Sequence, residues 1–165
     1  MQSIIKKHLK IDSREQLLSF LGAFIGIGLI AFIQNIILEK DENILLIGSF
    51  GATSVLVYGA VKSPLAQTRN LFGGHILSAI VGVLVIKFCP DIIWITAPLA
   101  VALSIVIMQI TNTLHPPGGA TALIAVTGSP TIKALGFWYV LYPVFTGVVI
   151  LFAVAWVFNK IGKRK

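Results

Sequence analysis

Five long stretches of this chain contain no Asp, Glu, Lys or Arg: residues 16–38, 43–61, 70–86, 92–132 and 134–159. A hydrocarbon core about 30 Å thick is crossed by about 20 helical residues at ~1.5 Å rise each. Runs of this length, one after another, commit the chain to a lipid bilayer before any motif is read. Composition agrees, with 56% hydrophobic and 12% charged residues among 165 and a mean hydropathy of +0.93. Soluble domains carry about 25% charged residues. A soluble enzyme and a soluble nucleic-acid binder are excluded, and the length suits a single domain over residues 1–165.

The net charge of +7 follows from topology. Lys6, Lys7, Lys10 and Arg14 precede the first apolar run, and Lys160, Lys163, Arg164 and Lys165 follow the last. Basic residues at the ends of membrane segments mark cytoplasmic sides, so no nucleic-acid partner is expected and both termini are placed in the cytoplasm. Cys89 is the single cysteine, which excludes an intrachain disulfide. The first apolar run is too long for a signal peptide's core and no small-residue cleavage site follows it. The expectation is a mature multi-pass protein of the inner (plasma) membrane.

Residues 16–38 suit one helix, with Ser13 and Gln16 spaced as a capping box. The last run also suits one helix, with Trp138, Tyr139 and Tyr142 near one end and Trp156 near the other as interface anchors. The run 92–132 is too long for one helix and breaks at Pro116-Pro117, because proline suits a helix start and not its interior. This predicts a helix over about 93–111 and a short one over about 117–128, which is only about 17 Å long.

A weak repeat runs through the chain. Gly51-Ala52-Thr53 recurs as Gly119-Ala120-Thr121, and Ser63-Pro64 recurs as Ser129-Pro130. Each Ser-Pro reads as an N-cap followed by proline at the first helical position. The fold expected is an all-α membrane bundle of about six hydrophobic segments. It forms two copies of helix–short helix–helix, over about 14–89 and 93–159. If the short segments cross, the copies are inverted, and ten basic residues lie inside against Lys40, Lys87 and Lys133 outside. If they re-enter, there are four crossings, with nine basic residues inside and four outside. The balance leans slightly to six, and the acidic Glu39, Asp41 and Glu42 stay outside either way.

All six carboxylates (Asp12, Glu15, Glu39, Asp41, Glu42, Asp91) lie at segment ends, so a carboxylate proton relay or an acidic cation site lacks its parts. The polar groups at membrane depth are Ser49, Thr53 and Ser54, then Gln109, Thr111, Asn112, Thr113, His115 and Thr121, with His75 after Gly73-Gly74. A helix that starts inside the membrane presents unpaired N–H groups and a positive dipole end, which suit a small anion. Glycines allow close approach to that backbone. They also serve close helix packing, which is the competing reading at Gly51 and Gly118-Gly119. His75 and His115 have a plain reading too, as rings bonded to carbonyls at helix ends. Two histidines without a carboxylate, and a distant Cys89, make no convincing metal set. No Ser-His-Asp or Cys-His constellation can be assembled, so an enzyme is not expected. Lys62 and Arg69 read as loop residues, with Arg69 alternatively attracting anions to a mouth.

His115-Pro116-Pro117-Gly118-Gly119-Ala120-Thr121 resembles the signature of the HPP family of integral membrane proteins. Gly48-Ser49-Phe50-Gly51-Ala52-Thr53 fits the same family, as does Ser63-Pro64-Leu65-Ala66-Gln67 through Arg69-Asn70 to Gly73-Gly74-His75. The likeness spans roughly residues 15–160, with Thr68 standing where proline is expected. It implies a membrane transporter, similar to the cyanobacterial and chloroplast nitrite transporters of that family, which is usually described with four membrane helices. Some members carry regulatory CBS domains; none is expected here.

The combined expectation is a transporter of a small inorganic anion, nitrite foremost, without cofactor or bound metal. The backbone at Gly51-Ala52-Thr53 and Gly118-Gly119-Ala120-Thr121 is expected to hold the anion. Ser49, Thr53 and Thr121 supply hydroxyls, and His75 or His115 the protonatable group. An inward-moving anion opposes an inside-negative potential by about 2.3 kcal/mol per 100 mV, so accumulation requires a cotransported cation. A passive channel for anions or neutral solutes and a non-transporting scaffold or regulatory module are the alternatives. A homo-oligomer suits so small a membrane protein.

Overall fold

The computed structural model describes residues 12–37 and 44–162. The charges at Lys6, Lys7, Lys10, Glu39, Lys40, Asp41, Glu42, Lys163, Arg164 and Lys165 lie outside the described residues.

Among the described residues the chain is helical without strands. Its helices are α1 (Ser13–Ile37), α2 (Gly48–Ser54), α3 (Thr68–Phe88), α4 (Ile93–Ile110), α5 (Pro116–Thr127), α6 (Pro130–Ala134) and α7 (Thr146–Ile161). Four helices are long and apolar enough to cross a membrane: α1, α3, α4 and the stretch Val140–Ile161 that ends in α7. α2 is prolonged by a wide π-type turn, Val55–Gly59, closed by the Ala60 N–H on the Val55 and Leu56 carbonyls.

Helix boundaries follow local chemistry with two corrections. At the start of α1 the cap is Asp12, whose Oδ1 accepts from the Arg14 and Glu15 N–H groups at 2.9 and 3.4 Å. Ser13 is therefore inside the helix, and the expected Ser13–Gln16 box is displaced by one residue. The last apolar run is not one helix. Ser129 caps the five-residue α6 by accepting from the Ile132 N–H, and a turn follows with Gly136 at φ +53°. The chain then bends at Tyr142 (φ −139°, ψ 118°) before α7. Ser63 caps the 3₁₀ turn Pro64–Ala66, while α3 itself starts after Gln67.

Long-range hydrogen bonds fix the direction of each segment. Ser19, near the start of α1, donates to the Tyr58 carbonyl, and Gln34, near its end, accepts from the Leu45 N–H. Residues 45–58 therefore descend alongside α1 from one end of the bundle to the other. Arg69 and Asn70 at the start of α3 donate to the Thr111 and Leu114 carbonyls after α4. Arg14 reaches the Ile161 carbonyl and Asn159 the Val57 carbonyl, so both described termini share that end. At the far end Lys133 pairs with Asp91 at 3.6 Å. Six segments thus run alternately between the two ends, and the first three have the opposite sense to the last three. The two short segments run from one end of the bundle to the other and do not double back to the end they start from.

Helices in lipid gain little from burying apolar surface, so close packing of small residues holds them. A Cβ on Gly82 would stand 2.7 Å from the Ala125 Cβ, and one on Gly118 2.7 Å from the Gly74 carbonyl oxygen. These contacts seat α5 against α3. Tyr58 lies over Gly22 of α1 and donates to the Leu151 carbonyl of α7, while Phe50 occupies the space beside Gly147. Exposed Phe20, Phe24 and Phe32 on α1 and Trp94, Val106 and Ile110 on α4 form the apolar exterior.

Candidate functional site

Five fully buried polar side chains, Ser49, Thr53, His75, His115 and Thr121, converge where α2 and α5 meet beside α3. On α2 the helical period turns Ser49, Phe50, Thr53 and Ser54 inward. On α3, Gly74, His75 and Ser78 face the same point, and α5 brings Thr121 with His115 at its N-cap. Ser49, Thr53, His75, His115 and Thr121 are each fully buried. His75 lies two turns into α3, roughly 10 Å along the axis at ~1.5 Å per residue.

His75 is held from both sides. Its Nε2 is 2.7 Å from Thr53 Oγ1 and its Nδ1 2.7 Å from Thr121 Oγ1. Each hydroxyl has another acceptor in reach: the Ser49 carbonyl at 3.0 Å for Thr53, and Ser49 Oγ at 3.0 Å and the Pro117 carbonyl at 3.3 Å for Thr121. His115 Nδ1 lies 2.8 Å from the Leu65 carbonyl oxygen. A carbonyl only accepts, so this nitrogen carries the proton and the neutral ring offers Nε2 as acceptor. That Nε2 is 3.4 Å from Thr53 Oγ1, a long contact. Phe50 meets the His75 ring edge-on at 5.8 Å between centroids. The described carboxylates, Asp12, Glu15 and Asp91, are all exposed at segment ends.

The structure does not bring every expected residue to this cluster. Gly51 and Ala52 lie on the exposed face of α2, and a Cβ at Gly51 would meet nothing within 4 Å. Gly51 is the fourth residue of a helix that already starts at Gly48, so the expected backbone cradle at 51–52 does not form. Gly118 is buried against Gly74 and Ser78, and its N–H bonds to the His115 carbonyl. Its lack of a side chain serves helix packing. Gly119 and Ala120 are half-buried, Gly119 facing Val101 of α4. Pro116 and Pro117 open α5, and the two Ser-Pro pairs cap the turns already described.

Two participants were missed. Tyr139, expected as an interface anchor, is buried and donates to the Thr121 carbonyl at 2.9 Å. Nothing local distinguishes it from the exposed Trp138 beside it. Ser78 is fully buried with Oγ unpartnered, and its i+3 spacing from His75 was the available signal. Among the described residues no cluster of three His, Cys, Asp or Glu side chains could hold a metal.

Residues 8–165 match the family model described as HPP, transmembrane region. The chain belongs to the HPP family. Two transmembrane proteins of Dictyostelium discoideum are similar to this HPP chain. One is 39% identical over 163 residues, covering 97% of this chain and 52% of that protein. The other is 41% identical over 150 residues, covering 89% and 52%. The HPP chain therefore spans about half the length of these relatives. No solved structure matches it.

Proposed function

We propose that this HPP protein moves a small monovalent anion, nitrite foremost, across the inner (plasma) membrane, with both termini on the cytoplasmic side. The observation that carries the reading is the buried cluster of three hydroxyls and two imidazoles between two oppositely directed short helices, remote from the described carboxylates. Hydroxyls and imidazole N–H groups donate to an anion, and an acid-free interior does not repel one. In this reading the anion is held by side chains, Ser49, Thr53, Thr121 and His75, and less by backbone than the glycines suggest. The resemblance of the signature motifs to the nitrite-transporting members of the HPP family supports the choice of anion.

The test is nitrite flux into proteoliposomes of purified protein at clamped membrane potential, with and without an inward proton gradient. Flux that rises with the gradient supports coupled transport, and flux that ignores it supports a channel. Well-folded protein that moves no nitrite under either condition sinks the reading.

A further inference from the structure

The two histidines are not equivalent, and the hydroxyl between them is placed to transfer a proton. His115 has one fixed nitrogen, with Nδ1 committed to the Leu65 carbonyl. His75 has none, since each ring nitrogen faces a hydroxyl that can donate to it or accept from it. Thr53 and Thr121 each keep a fallback acceptor, so His75 can gain, lose or exchange a proton without leaving a buried polar group unpaired. A buried histidine serving only as structure is held in one tautomer by fixed carbonyl or carboxylate partners. This ring has no fixed partner.

We infer that Thr53 is a proton relay between the two imidazoles, passing a proton between His115 and His75. The step balances without any further reactant. A proton taken up at His115 Nε2 passes to Thr53 Oγ1 as that N–H bond breaks. The hydrogen already on Thr53, turned from the Ser49 carbonyl toward His75, passes to Nε2 of that ring. His115 returns to its neutral form and His75, with hydrogens on both nitrogens, carries the charge. The reverse transfer returns the proton to His115, after which the Thr53 hydroxyl turns back to the Ser49 carbonyl.

The contact that limits the route is Thr53 to His115, whose 3.4 Å must shorten by a few tenths of an ångström for transfer. The rings stand 5.0 Å apart between centroids, so one hydroxyl spans the gap. Among the described residues, Tyr139 is the other titratable side chain hydrogen-bonded at the cluster, and it donates to the Thr121 carbonyl. Tyr58 is turned to the Leu151 carbonyl, and Arg69, Lys62 and Lys160 are exposed at the end that holds the termini. The route therefore serves a proton and has no carboxylate to trap it. It rests on the anion reading only for what the proton accompanies.

The test reads ring N–H exchange with solvent deuterium, by nitrogen-15 NMR of histidine-labelled protein in lipid nanodiscs without nitrite. Wild type should exchange the His75 ring at a rate near that of His115. Thr53→Val, which keeps the shape and removes the hydroxyl, should slow His75 exchange by about 100-fold, the scale of a positioned proton-transfer group. His115 exchange should be unmoved. Thr53→Ser should restore the rate, which a role in packing alone would not. His115→Phe should slow His75 as Thr53→Val does, and carries the test if the valine variant does not fold. Fast His75 exchange in both Thr53→Val and His115→Phe overturns the relay, as does a wild-type His75 ring sealed from solvent. Nitrite flux on the same preparations separates the two claims. A working relay with no flux removes the anion reading alone, and flux with exchange indifferent to Thr53 removes the relay alone.

Discussion

His75 and His115 lie with ring centroids 5.0 Å apart and planes tilted by 58°, with Thr53 Oγ1 between their Nε2 atoms. The two rings come from opposite halves of the chain, one inside α3 and one at the N-cap of α5. Their meeting brings both imidazoles into one buried polar cluster, and it decides the first prediction. His75→Ala should destabilise the protein by about 3 kcal/mol, through a cavity and lost hydrogen bonds. It should also abolish flux. His75→Gln keeps a donor and an acceptor and should recover most of the stability but not the flux. Thermal unfolding in detergent beside proteoliposome flux separates the two effects.

The glycines of the signature should respond in opposite ways. A Cβ at Gly118 meets the Gly74 carbonyl oxygen at 2.7 Å and Ser78 Oγ at 2.9 Å, whereas one at Gly51 meets nothing within 4 Å. Gly118→Ala should force α5 off α3 at a cost of about 1–3 kcal/mol. Gly51→Ala should be neutral or stabilise by up to about 1 kcal/mol, because alanine favours helix. A melting temperature lowered equally by both would place Gly51 in a contact that the isolated chain lacks.

Removing the Tyr139 hydroxyl should cost about 1 kcal/mol. Tyr139→Phe loses the 2.9 Å bond to the Thr121 carbonyl with little change in shape. Trp138→Phe, at an exposed neighbour, should change the detergent melting temperature far less.

The sense of the crossings has a direct chemical test. Lys62 lies on the end shared by the termini, while Lys133 lies at the far end beside Asp91. In a Cys89→Ser background, Lys62→Cys and Lys133→Cys should react with an impermeant maleimide from opposite sides of the membrane. With cytoplasmic termini, Lys62→Cys is the one labelled from the cytoplasm. Labelling of both from the same side would restore the four-crossing topology.

Much of this architecture is local and was legible in the residues. A missing charge over some 20 positions, a proline pair, or a serine before proline acts within one or two turns, so spans, breaks and the Ser63 and Ser129 caps could be read directly. The cap of α1 moved from Ser13 to Asp12 because both side chains can accept an N–H bond, and sequence does not rank them. The break before α7 was missed because an uncharged run hides a bend that only Gly136 and Pro143 mark. At the candidate site the residue types were legible but the facing was not. Gly51-Ala52-Thr53 reads as one motif, yet the helical period sends Thr53 inward and Gly51 and Ala52 outward.

By itself the sequence determined the solvent this protein needs, the lengths of its segments and the absence of acids from its apolar runs, because hydropathy and charge are properties of single residues. Only the tertiary structure decided that the short segments run end to end through the bundle, that Gly118 serves packing, and that Thr53 stands between His75 and His115. Those facts depend on how helices from distant parts of the chain rotate against one another. That rotation is set by the small-residue contacts between α3 and α5, a fit between surfaces that no single stretch of sequence contains.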